Sequence, residues 1–404
     1  MNTSSTNTCT LRMIYSLLSI IILSVAVLPG SAAQYENKQQ YHAYATTTAA
    51  ALPGFNFGAA GDWGCNSRTT ATVNNIVDKN PELVLALGDY AYYGLTANCW
   101  FDDIRPIENI MKIAIGNHDI KGSKLTEYME HFGLTSQYYS FNFQNVHFTV
   151  MADYLPKEKG SEQYTFVQND LAKAAADPNI DWIVVAHHIQ RYASTKHYEI
   201  PNENKWNNIY HPLFEQYDVD LVLQGDQHNY QRTYPIKYNS ESPANPIITD
   251  KKTNDYTNPE GQIYLTVGTG GQSLFKLNGN KAPYLIITQD KVYGFLNVDV
   301  TAKQGGTTML VGTFYKNNKN GSGEMTDQFT IAKSAAGDLS SPPPPELPAQ
   351  EETDMLDEVN DGDVGFGDDD AVVSEDSEDV DATDDGGMMM AAMIDKITMM
   401  MAAL

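Results

Sequence analysis

Basic residues are scarce in this chain. Its 404 residues include 26 Lys and Arg against 51 Asp and Glu, a formal net charge of −25. That balance argues against sequence-independent binding to a nucleic-acid backbone, which needs a Lys/Arg surface. The deficit is uneven. Between Asp338 and Asp385 lie nineteen acidic side chains and no Lys or Arg, with Pro342–Pro345 near the start, and the remainder carries only −6. Such a segment repels itself and has too few apolar groups to offset the entropy of folding, so 334–387 reads as a disordered spacer. Even the body is acidic, and any phosphate site on it needs local cations.

Long apolar runs are equally few. One, Ile14–Leu28, follows Arg12 and leads into Ser31-Ala32-Ala33. The order of charged, apolar and small residues predicts a secretory signal over 1–33, a mature chain beginning near Gln34, and a secreted or cell-surface protein. A retained membrane anchor is the competing reading. At the other end, 388–404 is rich in Met and Ala but interrupted by Asp395-Lys396. It falls short of the roughly 20 apolar residues that a spanning helix needs. It suits an amphipathic surface helix, with cell-surface or membrane association, or a contact for a partner. Cysteine is limited to three residues. Cys9 lies in the signal, which leaves Cys65 and Cys99; a disulfide is the favoured reading in an oxidising compartment. Two separate thiols, or a metal ligand at Cys65, are the alternatives. No internal repeat is present.

What remains is a body from about Phe55 to Lys333, preceded by a linker over 34–54. Phe55–Ala60 and Leu83–Leu87 are apolar runs flanking a segment with Val73, Ile76 and Val77 at helical spacing. Strand, helix, strand is the pattern of a parallel sheet covered on both faces. Lys112–Ile115 reads as a third strand, and Tyr138–Phe143 with Val146–Met151 as a hairpin around Gln144-Asn145. A helix over Gln163–Ala176, a strand at Trp182–Ala186, an amphipathic helix from Trp206 to Tyr217 and a strand at Val219–Gln224 follow. Beyond Gly261 the pattern turns to strands: Gln262–Val267, Tyr284–Thr288, Val292–Val300, Thr307–Phe314 and Gln328–Ala332. The expected class is α/β, one domain (55–333) of two packed mixed sheets with helices outside, a four-layer αββα sandwich.

Five of these strands end in polar clusters: Asp62, Asp89, Asn117-His118, His187-His188 and Asp226-Gln227-His228. Taken singly, each has an ordinary reading as a turn or a hydrogen-bonded loop residue. Together they suggest one site, because ligands of open sheets bind beyond the carboxyl ends of the strands. Oxygen and imidazole donors in this mixture suit two first-row metal ions better than calcium or a lone structural zinc. His187 and His188 are adjacent and point to opposite faces, so only one should ligate.

Gly61-Asp62-Trp63-Gly64, Gly88-Asp89-Tyr90-Ala91-Tyr92, Gly116-Asn117-His118-Asp119, Val184-Val185-Ala186-His187 and Gly225-Asp226-Gln227-His228 resemble, in order, the five blocks of the calcineurin-like metallophosphoesterases. Tyr92, three residues after Asp89, narrows the resemblance to purple acid phosphatases, and it extends through Asn229–Thr233, Gly268-Thr269-Gly270-Gly271 and Asp327-Gln328-Phe329. It implies that Asp62, Asp89, Tyr92 and His228 hold Fe(III), and that Asp89, Asn117, His187 and Asp226 hold a divalent ion (Fe, Mn or Zn), with Asp89 bridging. It also implies His118 as proton donor to the leaving group, Asp119 as the carboxylate orienting it, and His197 as a substrate-facing residue. His188 is then a packed neighbour. Arg191 and Arg232 are candidates for phosphate contact, and His42, His131, His147 and His211 are structural.

The pattern breaks at Asp226, where the family usually carries His. Its added negative charge favours harder metals such as Mn, Fe or Mg over Zn. The function implied is extracytoplasmic hydrolysis of phosphomonoesters by a metal-activated hydroxide. A phosphodiesterase or nucleotide pyrophosphatase on the same site is the alternative within enzymes, and a non-catalytic surface protein using the acidic tail is the alternative outside them.

Overall fold

The computed structural model describes residues 54–194, 203–277, 281–301, 306–318 and 322–334. The signal, linker, spacer and Met-rich segments, and His42 and His197, lie outside the described residues. In chain order the first half comprises β1 (Phe55–Ala60), α1 (Ser67–Lys79), β2 (Leu83–Ala86), α2 (Ala97–Ile104), β3 (Met111–Ile113), α3 (Lys124–His131), β4 (Tyr139–Phe143) and β5 (Val146–Val150). There follow α4 (Glu162–Ala176), β6 (Trp182–Ala186), α5 (Glu203–Gln216), β7 (Leu221–Gln224), β8 (Tyr230–Thr233), β9 (Ile236–Lys237) and β10 (Ile247–Ile248). The last strands are β11 (Asp255–Thr257), β12 (Ile263–Val267), β13 (Leu285–Gln289), β14 (Gly294–Val300), β15 (Thr307–Asn317) and β16 (Gly323–Ser334).

Two seven-stranded mixed sheets result, in the orders β11-β16-β15-β14-β1-β2-β3 and β13-β8-β12-β7-β6-β5-β4. In the first, β1, β2 and β3 run parallel and β14 lies antiparallel to β1. In the second, β5, β6, β7 and β12 run parallel. Side chains alternate between the faces of a strand, and each face has its own destination. Phe57, Leu83, Leu85, Phe148, Val184, Leu223 and Leu265 fill one core between the sheets. Val84, Ala86 and Ile113 pack outward with Val73 of α1, Trp100 of α2 and Tyr128 of α3. Ile183, Val185 and Val222 pack outward with Leu171 of α4 and Phe214 of α5. The layers are therefore helix, sheet, sheet, helix. Each fully buried Leu, Val or Phe contributes about 1.5–3 kcal/mol of transfer free energy.

Local signals explain some boundaries. Asn66 caps α1 by accepting from the Arg68 N–H at 2.9 Å, and Asn80 ends it in the left-handed conformation. The eight-residue helices α2 and α3 were not expected, and neither has a side-chain N-cap bond. Helices that short are marginal alone and depend on packing. Trp100 of α2 supplies it, stacking on Tyr90 at 4.0 Å and meeting Tyr128 of α3 edge-on at 5.8 Å. The β15–β16 hairpin extends beyond the expected Thr307–Phe314 and Gln328–Ala332, continuing past a bulge at Phe314/Tyr315.

Candidate metal centre

The parallel strands end together, and their ladders continue into the loops that follow. The Asp62 N–H donates to Gly88 O at 3.0 Å and Trp63 N–H to Asp89 O at 2.9 Å. Across the sheets, Gly61 N–H donates to Val267 O at 2.8 Å. Three aspartates at these turns adopt positive φ: Asp62 at 59°, Asp89 at 56° and Asp226 at 63°. Aspartate tolerates that region better than most residues because its short side chain bonds locally. One glycine is required by proximity, since a Cβ on Gly116 would sit 2.2 Å from Asp89 Oδ1.

The donors divide into two groups. Asp62 Oδ1 lies 3.2 Å from the Tyr92 hydroxyl and 3.2 Å from His228 Nε2, and the hydroxyl and that imidazole nitrogen are 3.1 Å apart. His188 Nε2 lies 3.1 Å from Asn117 Oδ1, 3.4 Å from Asp89 Oδ1 and 3.6 Å from Asp226 Oδ1. The groups meet where donor atoms of Asp62, Asp89 and His188 all fall within 4.8 Å of one another, every one of them buried. The Asp226 N–H also donates to Asp62 Oδ2 at 2.9 Å, locking the two loops. Buried carboxylates this close are costly unless paired or bound to cations. The oxygen and imidazole donors fit a two-metal centre.

His187 does not take the place expected of it. Its ring lies on the helical side of β6, stacked 5.1 Å from Trp206 of α5, with Nδ1 3.2 Å from Asp153 Oδ2. His188 shares the parity of Trp182, Val184 and Ala186, whose side chains fill the core between the sheets, and so emerges at the cluster. Its Nδ1 lies 2.8 Å from Leu87 O, which aims Nε2 at the other donors. Asp153, which sequence reasoning missed, fixes this loop by accepting the N–H groups of His188 (2.9 Å) and Ile189 (2.8 Å).

Asp119 also has a different task. Fully buried, it accepts the N–H groups of Asp89, Tyr90 and Gly116 at 2.8, 2.9 and 2.8 Å, and so organises the β2 and β3 turns rather than His118. Burial and the neighbouring Asp89 push its carboxyl up to about 7. The His118 N–H donates to Asp89 Oδ1 at 2.9 Å, and its Nε2 lies 3.9 Å from Asp89 Oδ2. Burial lowers the His118 pKa although Asp89 opposes the shift. Burial and Asp62 hold the Tyr92 phenol well above its ordinary value. A bound cation would invert that, since metal charge favours the phenolate. On His228, burial disfavours protonation, but Asp62, the Ser273 carbonyl and Asp89 together outweigh it, and its pKa rises.

Two arginines weighed for phosphate are occupied elsewhere. Arg232 is buried and bidentate to Asp327 at 2.7 and 2.8 Å, while Arg191 lies 3.6 Å from Asp153 and over the Trp206 ring. His147 and His211 sit in buried networks with Asp170 and Tyr192, as structural residues should. Cys65 and Cys99 form a disulfide that ties the loop after Asp62 to α2.

A cavity of about 320 Å³ opens onto the donors, lined by Asp89, Tyr92, Asn117, His118, Asp226 and His228. Another wall comes from Gln272, Ser273 and Phe275, beyond the Gly268–Gly271 turn. Phe275 stacks on His228 at 3.9 Å, and Ser273 O lies 2.7 Å from His228 Nδ1. Nothing in the local sequence marked that loop, since its role depends on where β12 ends.

The calcineurin-like phosphoesterase family model matches residues 55–230, which contain every donor named above. An uncharacterized protein of Mycobacterium tuberculosis is 30% identical over 217 residues, covering 46% of this chain and 41% of that protein. Purple acid phosphatase 21 of Arabidopsis thaliana is 27% identical, covering 53% and 49%, and purple acid phosphatase 15 of that plant is 26% identical, covering 52% and 44%. The chain spans about half the length of these relatives. Among solved structures, a purple acid phosphatase of yellow lupin seeds superposes with a TM-score of 0.58 at 21% identity, covering 70% of this chain and 55% of that one. GAP50 of Plasmodium, described as an anchor in the inner membrane complex, superposes at 0.50 with 14% identity, covering 69% and 88%. Residues 55–230 thus match the calcineurin-like phosphoesterase family model, the chain is similar to purple acid phosphatases, and its fold is that of the lupin purple acid phosphatase.

Proposed function

We propose that this protein is an exported phosphomonoesterase with a dinuclear metal centre. The observation that carries the reading is the meeting of Asp62, Asp89 and His188 donor atoms within 4.8 Å, beside His118 and at the mouth of a cavity. Asp62, Tyr92 and His228 would hold one ion, and Asn117, His188 and Asp226 the other, with Asp89 within 4.8 Å of a donor in each group. When bound, the ions supply Lewis acidity toward the phosphoryl group and lower the pKa of a coordinated water. The Tyr92 phenol beside Asp62 and His228 favours Fe(III) in the first position. The carboxylate of Asp226 favours a hard divalent ion such as Mn or Fe in the second.

The chain's own residues do the rest. Asp119 and Asp153 hold the turns through backbone N–H groups, so that the donors are placed before substrate arrives. His118 lines the cavity and holds a proton for the departing alkoxide. Export is supported by the signal-like 1–33 segment and by the Cys65–Cys99 bond, which persists in oxidising compartments.

Phosphate release from p-nitrophenyl phosphate should exceed release of p-nitrophenol from the bis ester, and the reverse order would assign a phosphodiesterase. Metal analysis should return two ions per chain. Iron bound to Tyr92 should give a visible charge-transfer band that Tyr92→Phe abolishes. Activity with Mn or Zn and no band would remove iron from the proposal.

A further inference from the structure

Tyr93 follows the Tyr92 donor and is 80% exposed, the most open of the exposed large hydrophobic side chains described. Isolated exposed apolar residues are common and need no explanation. Tyr93 differs because of where it stands. Its ring packs edge-on against His118 at 4.9 Å, and it lines the same cavity as the metal donors. Phe275 lines that cavity too, with one face held against His228. Among the described residues no Lys or Arg lines the cavity. A phosphate ester entering here meets the donors with its phosphoryl end, and its leaving group departs past His118, directly beneath Tyr93.

We infer that Tyr93, with Phe275, is a specificity-determining aromatic wall that favours phosphomonoesters whose leaving group carries a planar ring. The inference rests on the phosphomonoesterase reading and deepens it. An aromatic ring offers its face or edge to Tyr93 in offset or T-shaped contact, which a puckered ring of equal size cannot match.

Benzyl phosphate and cyclohexylmethyl phosphate test this on the metal-loaded full chain. Both leave as primary alkoxides of similar basicity and differ in ring planarity. The ratio of their kcat/KM values should favour benzyl phosphate by roughly three- to tenfold, the range of one aromatic contact. Tyr93→Ala should bring the ratio towards one, and Tyr93→Phe should keep it, because the ring and not the hydroxyl makes the contact. A wild-type ratio near one, or one unchanged by Tyr93→Ala, overturns the inference. If neither ester releases phosphate while two metals are bound, the phosphomonoesterase reading itself fails, a result distinct from equal turnover of both.

Discussion

Within the metal centre, neighbouring residues carry opposite duties. His188 faces Asn117, Asp89 and Asp226, whereas His187 faces Trp206 and Asp153. His188→Ala should therefore release metal, lowering occupancy or weakening affinity by about 10-fold or more, a loss comparable to that from disturbing a ligand's supports. His187→Ala should act on stability first, because it empties a packed site under α5. Metal content and thermal unfolding of the two variants separate these outcomes, and equal metal loss in both would contradict the assignment. His118 gives a second test. Its removal should slow alkyl phosphates by about 10²–10⁴-fold, the usual worth of a placed proton donor. The loss should be much smaller for p-nitrophenyl phosphate, whose leaving group departs without a proton. Equal losses would mean that His118 serves the fold or the binding step instead.

At the scale of elements, the strands that carry the site were legible and their inner faces were not. Leu83–Leu87 is apolar throughout, as expected of a strand covered on both sides, and the Gly-Asp that follows marks its end. The same uniformity hid the orientation of β6. Trp182–Ala186 is buried on both faces, so nothing in its composition says which parity meets the other sheet. Only the assembled core, with Trp182, Val184 and Ala186 inside, places His188 at the donors. The short α2 and α3 left little periodic signal, and the wall at Ser273–Phe275 depends on tertiary contacts alone. Elements far apart are also joined by charge. Arg232 of β8 and Asp327 of β16 link the two sheets in a buried pair. Asp327→Ala should cost about 3–5 kcal/mol by leaving a buried guanidinium without its carboxylate. Denaturant unfolding reads the effect, and a loss below ~1 kcal/mol would show that water reaches Arg232.

For the molecule as a whole, acid stability has an identifiable contributor. His211 of α5 is fully buried with its Nδ1 2.7 Å from the Tyr192 hydroxyl, and burial lowers its pKa to about 4. An unfolded histidine titrates near 6.5, so between roughly 6.5 and 4 the unfolded chain binds the proton that the folded chain refuses. Stability from this residue is whole above that window and is lost as the pH falls through it, at about 1.4 kcal/mol per unit. His211→Gln should flatten that part of the stability profile, as followed by urea unfolding across the window. A profile of unchanged slope would place the acid sensitivity elsewhere.

The left-handed aspartates constrain what evolution or design can try at this centre. Glutamate offers a cation the same carboxylate with a longer reach, yet it lacks the short side chain that makes such a backbone tolerable at 62, 89 and 226. Asparagine keeps the turn and discards the charge. Admissible donors are thus filtered twice, by coordination chemistry and by the Ramachandran map, and three of these positions pass few candidates through both.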